Sequence, residues 1–201
     1  MVNSNAAWIA ATCTRVGVSI EAQHTVGDVA EDLVADLRRF CGSVDLLLLT
    51  GGLGPTHDDI TVSILTQFTN DTLVRNDAWL EHLRQWMHQR GRELTDRNAA
   101  QAMVPSKATV LHNPLGTAPG ILIAHEGTTI IAMPGVPSEM KGIMTDHVLP
   151  LLTKRIEAEQ KPAREYRVLQ TSGIAESNLA DLIGDPTTFL GSSTLAFLPN
   201  Y

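Results

Sequence analysis

The sequence predicts an α/β protein with a mostly parallel sheet, on three observations. Hydrophobic residues fill 43% of the 201 positions while aromatics fill only 4%, so the core must be packed from aliphatic side chains. The first fifty residues read helix, strand, helix, strand, an order that implies right-handed crossovers between parallel strands. A strand, a glycine- and proline-rich loop and a helix then follow one another twice, at 45–68 and at 129–146.

Asn3 to Asn5 supply a cap for a helix over Ala6–Arg15, with Trp8, Ile9, Thr12 and Cys13 near one face and Gly17 as its stop. Val18–Val26 alternates Val18, Ile20 and Ala22 with Ser19, Glu21 and Gln23, and reads as a strand. Gly27-Asp28 caps a helix to Phe40 that places Val29, Leu33, Leu37 and Phe40 on one side. Asp45–Thr50 reads as a buried strand. Three helical segments follow at Ile60–Phe68, Asp77–Gln89 and Thr95–Met103. Trp79, Leu80, Leu83, Trp86 and Met87 recur at helical spacing in the second, which fits core or interface packing and leaves room for a homodimer or other homo-oligomer. Thr109–Leu111, Ile121–Ile123 and Thr129–Ala132 are short strands, the last two joined by a hairpin turn at Glu126-Gly127. Ser138 can cap the helix that continues to Asp146. Lys154–Arg164 reads as a helix tail and linker, Tyr166–Gln170 and Thr194–Leu198 as strands, and Glu176–Ile183 as a helix. The expected division is therefore an α/β domain over 1–152 and, over 153–201, a linker with the start of a small α+β unit.

Charge narrows the function. With 15 basic against 22 acidic side chains the net charge is −7, without the basic surplus that nucleic-acid binding through general electrostatics requires. Cys13 and Cys41 form no metal-binding spacing and read as small buried thiols in a reducing compartment. No signal-like start and no apolar run approaching ~18 residues is present, so no membrane partner and a cytoplasmic location are expected.

The first glycine loop, Thr50-Gly51-Gly52-Leu53-Gly54-Pro55-Thr56-His57-Asp58-Asp59, matches neither a dinucleotide fingerprint nor a Walker A loop. Its glycines let backbone N–H groups approach a ligand, and the following helix start favours anionic oxygens. Asp58 and Asp59 make the opposite demand: beside a phosphate they need a cation between, unless they cap the helix. The pattern thus points to a phosphate-bearing ligand held with a divalent metal ion, one aspartate capping and the other holding the metal. Thr50, Gly51, Gly52, Gly54 and Thr56 are the candidate cradle, and His57 lies inside it. Asn113–Gly120 carries two prolines and two glycines; Gly116 and Thr117 could contact the ligand, although a hairpin loop alone would use the same residues. The second loop offers Gly135, then Ser138, Glu139 and Lys141 as a cap, a carboxylate and a cation within about one turn, with a solvated face as the plain alternative for Lys141.

These three segments in order, with Val2–Ala6 and Thr171–Ser177, resemble the CinA (competence/damage-inducible) family, specifically its amino-terminal domain, which is similar to the MoaB/Mog-like molybdopterin-binding domain. The resemblance implies a three-layer α/β/α sandwich with the ligand at the glycine loop. It also implies metal-dependent hydrolysis of ADP-ribose to AMP and ribose 5-phosphate, with Asp58, Asp59 and Lys141 catalytic and Asp58 and Asp59 on the metal. The related alternative is a molybdopterin-binding or molybdenum-cofactor biosynthesis domain, with a pterin phosphate as ligand. A non-catalytic fragment or binding module is the third reading. Family members begin with a further strand and a Gly-Thr-Glu loop, whereas Met1 here directly precedes Val2. The carboxy-terminal amidase domain of many members is also absent, and the small second domain breaks off after Tyr201. On that basis the chain alone is expected to be poorly stable or inactive.

Overall fold

The computed structural model describes residues 3–159 and 167–198, and the chain divides into two compact units, 1–165 and 166–201. In the first unit α1 (Ser4–Arg15) is capped by the Asn3 side chain and closed by Gly17, whose φ of +90° suits glycine. It is followed by α2 (Ala30–Phe40), β1 (Leu46–Thr50), α3 (Thr61–Phe68), β2 (Leu73–Arg75), α4 (Asp77–His88) and α5 (Asp96–Ala99). After a 3₁₀ turn at Ala100–Ala102 come β3 (Met103–Pro105), β4 (Thr109–Leu111), β5 (Gly120–His125), β6 (Thr128–Met133), α6 (Pro137–Ile143) and α7 (Leu149–Ala158). The five-residue π segment Met144–Val148 joins α6 to α7 just before Pro150, which has no N–H to offer the helix ladder.

The main sheet has the order β1–β6–β5–β4. β1 runs parallel to β6, with Leu46 opposite Thr129 and Thr50 opposite Met133; β5 pairs antiparallel with both β6 and β4. Glu126 and Gly127 turn the β5–β6 hairpin with φ of +48° and +82°, the doubly positive geometry of a tight hairpin. The period-two alternation of β6 decides the layers. Ile130 and Ala132 face one way, with Leu33, Leu37, Ile64 and Leu65 of α2 and α3. Ile131 and Met133 face the other, with Ile9 and Cys13 of α1 and Met140, Ile143 and Leu152 of the α6–α7 stretch. The result is a sheet between two helical layers, the α/β class and three-layer arrangement expected.

Several elements differ from the sequence reading. Val18–Val26 is not a strand. Alternation supplies side-chain faces but no ladder partner, and the segment is instead tied by side chains, with Asn3 donating to Thr25 and His24 beside Asp36 and Phe40. Val29, not Gly27-Asp28, is the N-cap residue of α2, with no side-chain cap. The helix expected over Thr95–Met103 ends early, because Met103–Pro105 pairs with Leu73–Arg75 as a two-stranded ladder. The leucines of β1 are half-buried rather than fully buried. Among the described strands β6 is its ladder partner, and its flank opens onto a cavity of about 1150 Å³ bordered by α1, α2 and the 17–28 segment. Cys13 is buried and Cys41 half-buried; burial pushes both thiols up, Glu126 adding to the effect at Cys41, as inert thiols require. No described helix is long and apolar enough to cross a membrane.

The second unit contains α8 (Glu176–Ile183), ended by Gly184 at φ +72°, and a 3₁₀ turn at Pro186–Thr188 held by the Asp185 carboxylate. Residues 167–170 and 194–198 are not strands, contrary to expectation. Tyr166 and the linker positions 160–164 lie outside the described residues.

Thr128 offers a test of how the hairpin is anchored. It is 1% exposed, its hydroxyl accepts from the Gly42 N–H at 2.9 Å and donates to the Val44 carbonyl at 2.7 Å. Thr128→Val keeps the shape and leaves both backbone groups unpaired, which is expected to cost about 2 kcal/mol in urea denaturation. An unchanged midpoint would show that these bonds contribute nothing net.

Candidate functional site

The first loop begins where β1 ends. The Gly51 N–H donates to the Met133 carbonyl at 2.9 Å, extending the β1–β6 ladder one residue beyond the strand. Gly51 and Gly52 then take φ of +104° and +68°, where a side chain is strained. The loop is closed onto α3 by Thr61, whose N–H donates to the Gly52 carbonyl at 3.1 Å and whose hydroxyl donates to the Gly51 carbonyl at 2.9 Å. Leu53 is buried, and Gln101 reaches its carbonyl at 3.5 Å while the Gln101 Oε1 atom has no protein partner.

The two aspartates have separate tasks. Asp59 Oδ2 accepts from both the N–H and the hydroxyl of Thr56, and a Cβ at Gly54 would collide with that carboxylate. Asp59 therefore holds the turn. Neither aspartate caps α3, since Ile60 is the N-cap residue and no side chain bonds there, contrary to the expected division. Asp58 is left exposed, with His57 Nδ1 4.0 Å from its Oδ1 and the His57 side chain fully in solvent. The Thr56 hydroxyl, and then its own backbone N–H, pull the Asp58 carboxyl below the ordinary carboxylate range. Pro55, Thr56, His57 and Asp58 line a hollow of about 560 Å³ with Arg97 of α5. Sequence reasoning missed Arg97. It lies 39 positions from Asp58 by subtraction in a segment read only as helix, and no local signal links the two.

The second loop touches the first: a Cβ at Gly135 would lie 3.4 Å from the Gly51 Cα. Asn5 of α1 donates to the Gly135 carbonyl at 2.8 Å. Val136 is the N-cap residue of α6 and Pro137 its first residue, so the exposed Ser138 makes no cap bond, contrary to expectation. The buried Asn113 joins the third segment to α6. Its amide donates to Glu139 Oε2 at 2.7 Å and to the Ala118 carbonyl at 2.8 Å, and its Oδ1 accepts from the Leu115 N–H at 3.1 Å. Gly116 lies against the Glu139 carboxylate with no room for a Cβ. The Trp79 indole donates to the Thr117 carbonyl at 3.2 Å, which ties this segment to α4. Thr50 lies at the exposed end of β1. The Lys141 ammonium sits 5.5 Å from the Trp8 ring centre, over α1 rather than against a carboxylate of the loops.

The donor set limits how a metal could be held. Among the described residues no group of three or more His, Cys, Asp or Glu side chains converges as a protein-only cage. A magnesium-like ion needs only one or two carboxylates when phosphate oxygens and waters complete its shell, and the exposed Asp58 fits that arrangement.

Gly51 and Gly52 separate backbone strain from crowding. Nothing lies within 4 Å of a Cβ at Gly51, whereas one at Gly52 would collide with the Thr61 hydroxyl. Gly51→Ala is expected to cost about 1 kcal/mol from its left-handed backbone alone. Gly52→Ala should cost a further 1–3 kcal/mol, roughly, from overpacking. Chemical denaturation of the two variants checks this, and equal losses would mean that Thr61 does not hold its place.

Known proteins are similar to this chain in sequence and fold. Residues 1–154 match the family described as a probable molybdopterin binding domain. A CinA-like protein of Cytophaga hutchinsonii is 39% identical over 201 residues, covering 100% of this chain and 47% of the relative. Another from Gemmatimonas aurantiaca is 38% identical, covering 98% and 46%. The chain thus spans about half the length of these curated relatives. The crystal structure of the protein CinA of unknown function from Thermoplasma acidophilum superposes with a TM-score of 0.65 at 30% identity, covering 79% of this chain and 88% of that one. A molybdopterin biosynthesis protein from Mycobacterium abscessus shares the fold with a TM-score of 0.51 at 16% identity, covering 80% and 87%. The chain belongs to the probable molybdopterin binding domain family, and within it to the CinA-like proteins.

Proposed function

We propose that the Gly51–Gly54 loop binds a phosphate-bearing nucleotide and that the chain hydrolyses its pyrophosphate with a divalent cation, ADP-ribose giving AMP and ribose 5-phosphate. One observation carries this reading: the hollow beside the glycine loop is lined by both Asp58 and Arg97. A carboxylate alone would repel a pyrophosphate; beside a bound cation and an arginine it contributes to holding one.

On this reading each residue has its own task. Asp58 would hold the cation, which when bound polarises a phosphoryl oxygen and lowers the pKa of a water. Water adds at phosphorus, the bridging P–O bond breaks, and one water is consumed per pyrophosphate cleaved. Arg97 offsets charge growing on the phosphoryl oxygens through fork-shaped N–H donors. Backbone N–H groups of the loop share that task, and Asp59 keeps the loop in shape through Thr56. Lys141, expected to share the electrostatic role, is engaged over Trp8, so Arg97 is the better placed cation.

The second reading, a molybdopterin or related pterin phosphate in the same cradle, is favoured by the family match over residues 1–154. Calorimetric titration with ADP-ribose and with molybdopterin, each with and without Mg²⁺ or Mn²⁺, separates the two. Turnover is expected with ADP-ribose, and Asp58→Asn should lower it about 100-fold or more, the scale on which a transition-state stabiliser acts. Arg97→Ala should raise KM and lower kcat together. Because Asp58 is held below the ordinary carboxylate range, the cation should be released at a lower pH than from an ordinary carboxylate, as a pH titration of Mg²⁺ binding would check. Turnover unaffected by Asp58→Asn would remove its metal role, and pterin binding without ADP-ribose turnover would establish the second reading.

A further inference from the structure

The chain scatters its histidines, and folding brings His82 of α4, His112 after β4 and His147 of the 144–148 π segment into one neighbourhood. The His82 ring stacks on the buried Trp79, with centroids 4.4 Å apart and planes 27° apart. His112 meets the His82 ring edge-on at 4.7 Å and the Trp79 ring at 5.8 Å. His147 sets its Nε2 3.1 Å from the His112 carbonyl. A carbonyl only accepts, so that nitrogen carries a proton whether the His147 ring is neutral or charged. His82 differs. Its Nε2 is buried with no hydrogen-bond partner, so its bond to the Asn113 backbone engages the other ring nitrogen. A proton taken up in acid must go to Nε2, which puts a charge and a donor where nothing accepts, beside a second basic ring.

We propose that His82 and His112 form a pH-sensitive clasp between α4 and the Asn113–Gly120 segment: the neutral rings pack together, and a proton on His82 opens the contact to water. The charged groups nearby do not offset that proton. Glu81 and Arg84 of α4 pair with each other at 3.4 Å, and Glu139 of α6 is bonded to the Asn113 amide. Asp96 and Arg97 of α5 and Asp146 of the π segment are exposed. Among the described residues none of these forms an ion pair with His82, His112 or His147. Burial first, and then His112, hold the His82 pKa below the ordinary histidine value, while the Asn113 bond works the other way. The closed clasp thus binds this proton more weakly than the open one. Its contribution is full above about pH 6.5 and is lost as the pH falls below that. The Trp79 indole adds a second tie across the same contact, through the Thr117 carbonyl. The clasp acts whichever ligand the glycine loops hold.

NMR of the full chain between about pH 5 and 8, the range in which histidine titrates, tests this. The signals to follow are the rings of His82 and of the fully exposed His57, and amide exchange at Leu115, whose N–H bonds Asn113 Oδ1. His82 should take up its proton at a lower pH than His57. Exchange at Leu115, corrected for its intrinsic rate, should quicken on acidification by up to about tenfold per pH unit, the limit for one linked proton. The Trp79 indole N–H should lose protection over the same range. His82→Phe keeps a ring against Trp79 without the proton and should flatten the acid rise at Leu115. His112→Gln removes the neighbouring basic ring and should move proton uptake by His82 to higher pH. An acid rise that persists in His82→Phe overturns the proposal, as does wild-type exchange that stays flat across the range. If His82→Phe does not fold, the wild-type rings decide: a His82 that titrates together with His57 sinks the clasp, and so does a His82 unmoved by His112→Gln.

Discussion

The parallel pairing of β1 with β6 is the constraint on which the rest of the first unit depends. Parallel neighbours end on the same side of a sheet, so the loops after Thr50 and Met133 must leave together. The Gly51 N–H bond to the Met133 carbonyl carries the pairing into the loops, and Gly135 then passes Gly51 at contact distance. The same strand separates the two helical layers, with Ile130 and Ile131 in opposite cores. One ladder thus sets both the burial pattern and the meeting of the loops.

The first loop and the Asn113–Gly120 segment are then shaped by side-chain oxygens that take the place of a glycine Cβ. Thr61 fills that space at Gly52, Asp59 at Gly54 and Glu139 at Gly116. These are not phosphate loops in which every donor is turned outward. Part of their polar capacity is spent internally, and two of the three oxygens belong to carboxylates. Such a cradle admits an anion only with added positive charge, which Arg97 and the cation proposed at Asp58 would supply. The whole-chain charge of −7 adds to that requirement.

Much of this was legible in the residues. The β1 leucines, the helical spacing around Trp79 and the Glu126-Gly127 turn each carry a local signal, and each element formed where it was read. What failed was non-local. Val18–Val26 alternates like a strand, but a strand exists only when another accepts its hydrogen bonds. Met103–Pro105 looked like the end of a helix because its partner, Leu73–Arg75, carries no strong pattern of its own. The candidate site divides the same way. The glycine loop and its aspartates form one contiguous motif, while Arg97 and the Asn113–Glu139 bond are brought in by folding. Local pattern identifies a loop; only packing shows which distant side chains serve it.

Adjacent aspartates invite a single explanation, and here they need two. Asp59 accepts twice from Thr56 and lies on Gly54, so recruiting it to a metal would cost the turn that presents the loop. Asp58 is more exposed and lines the hollow with Arg97. A cation held by Asp58 alone is weakly bound by the protein and completed by the ligand's own phosphate oxygens. Metal and ligand then bind together, each lowering the cost of the other.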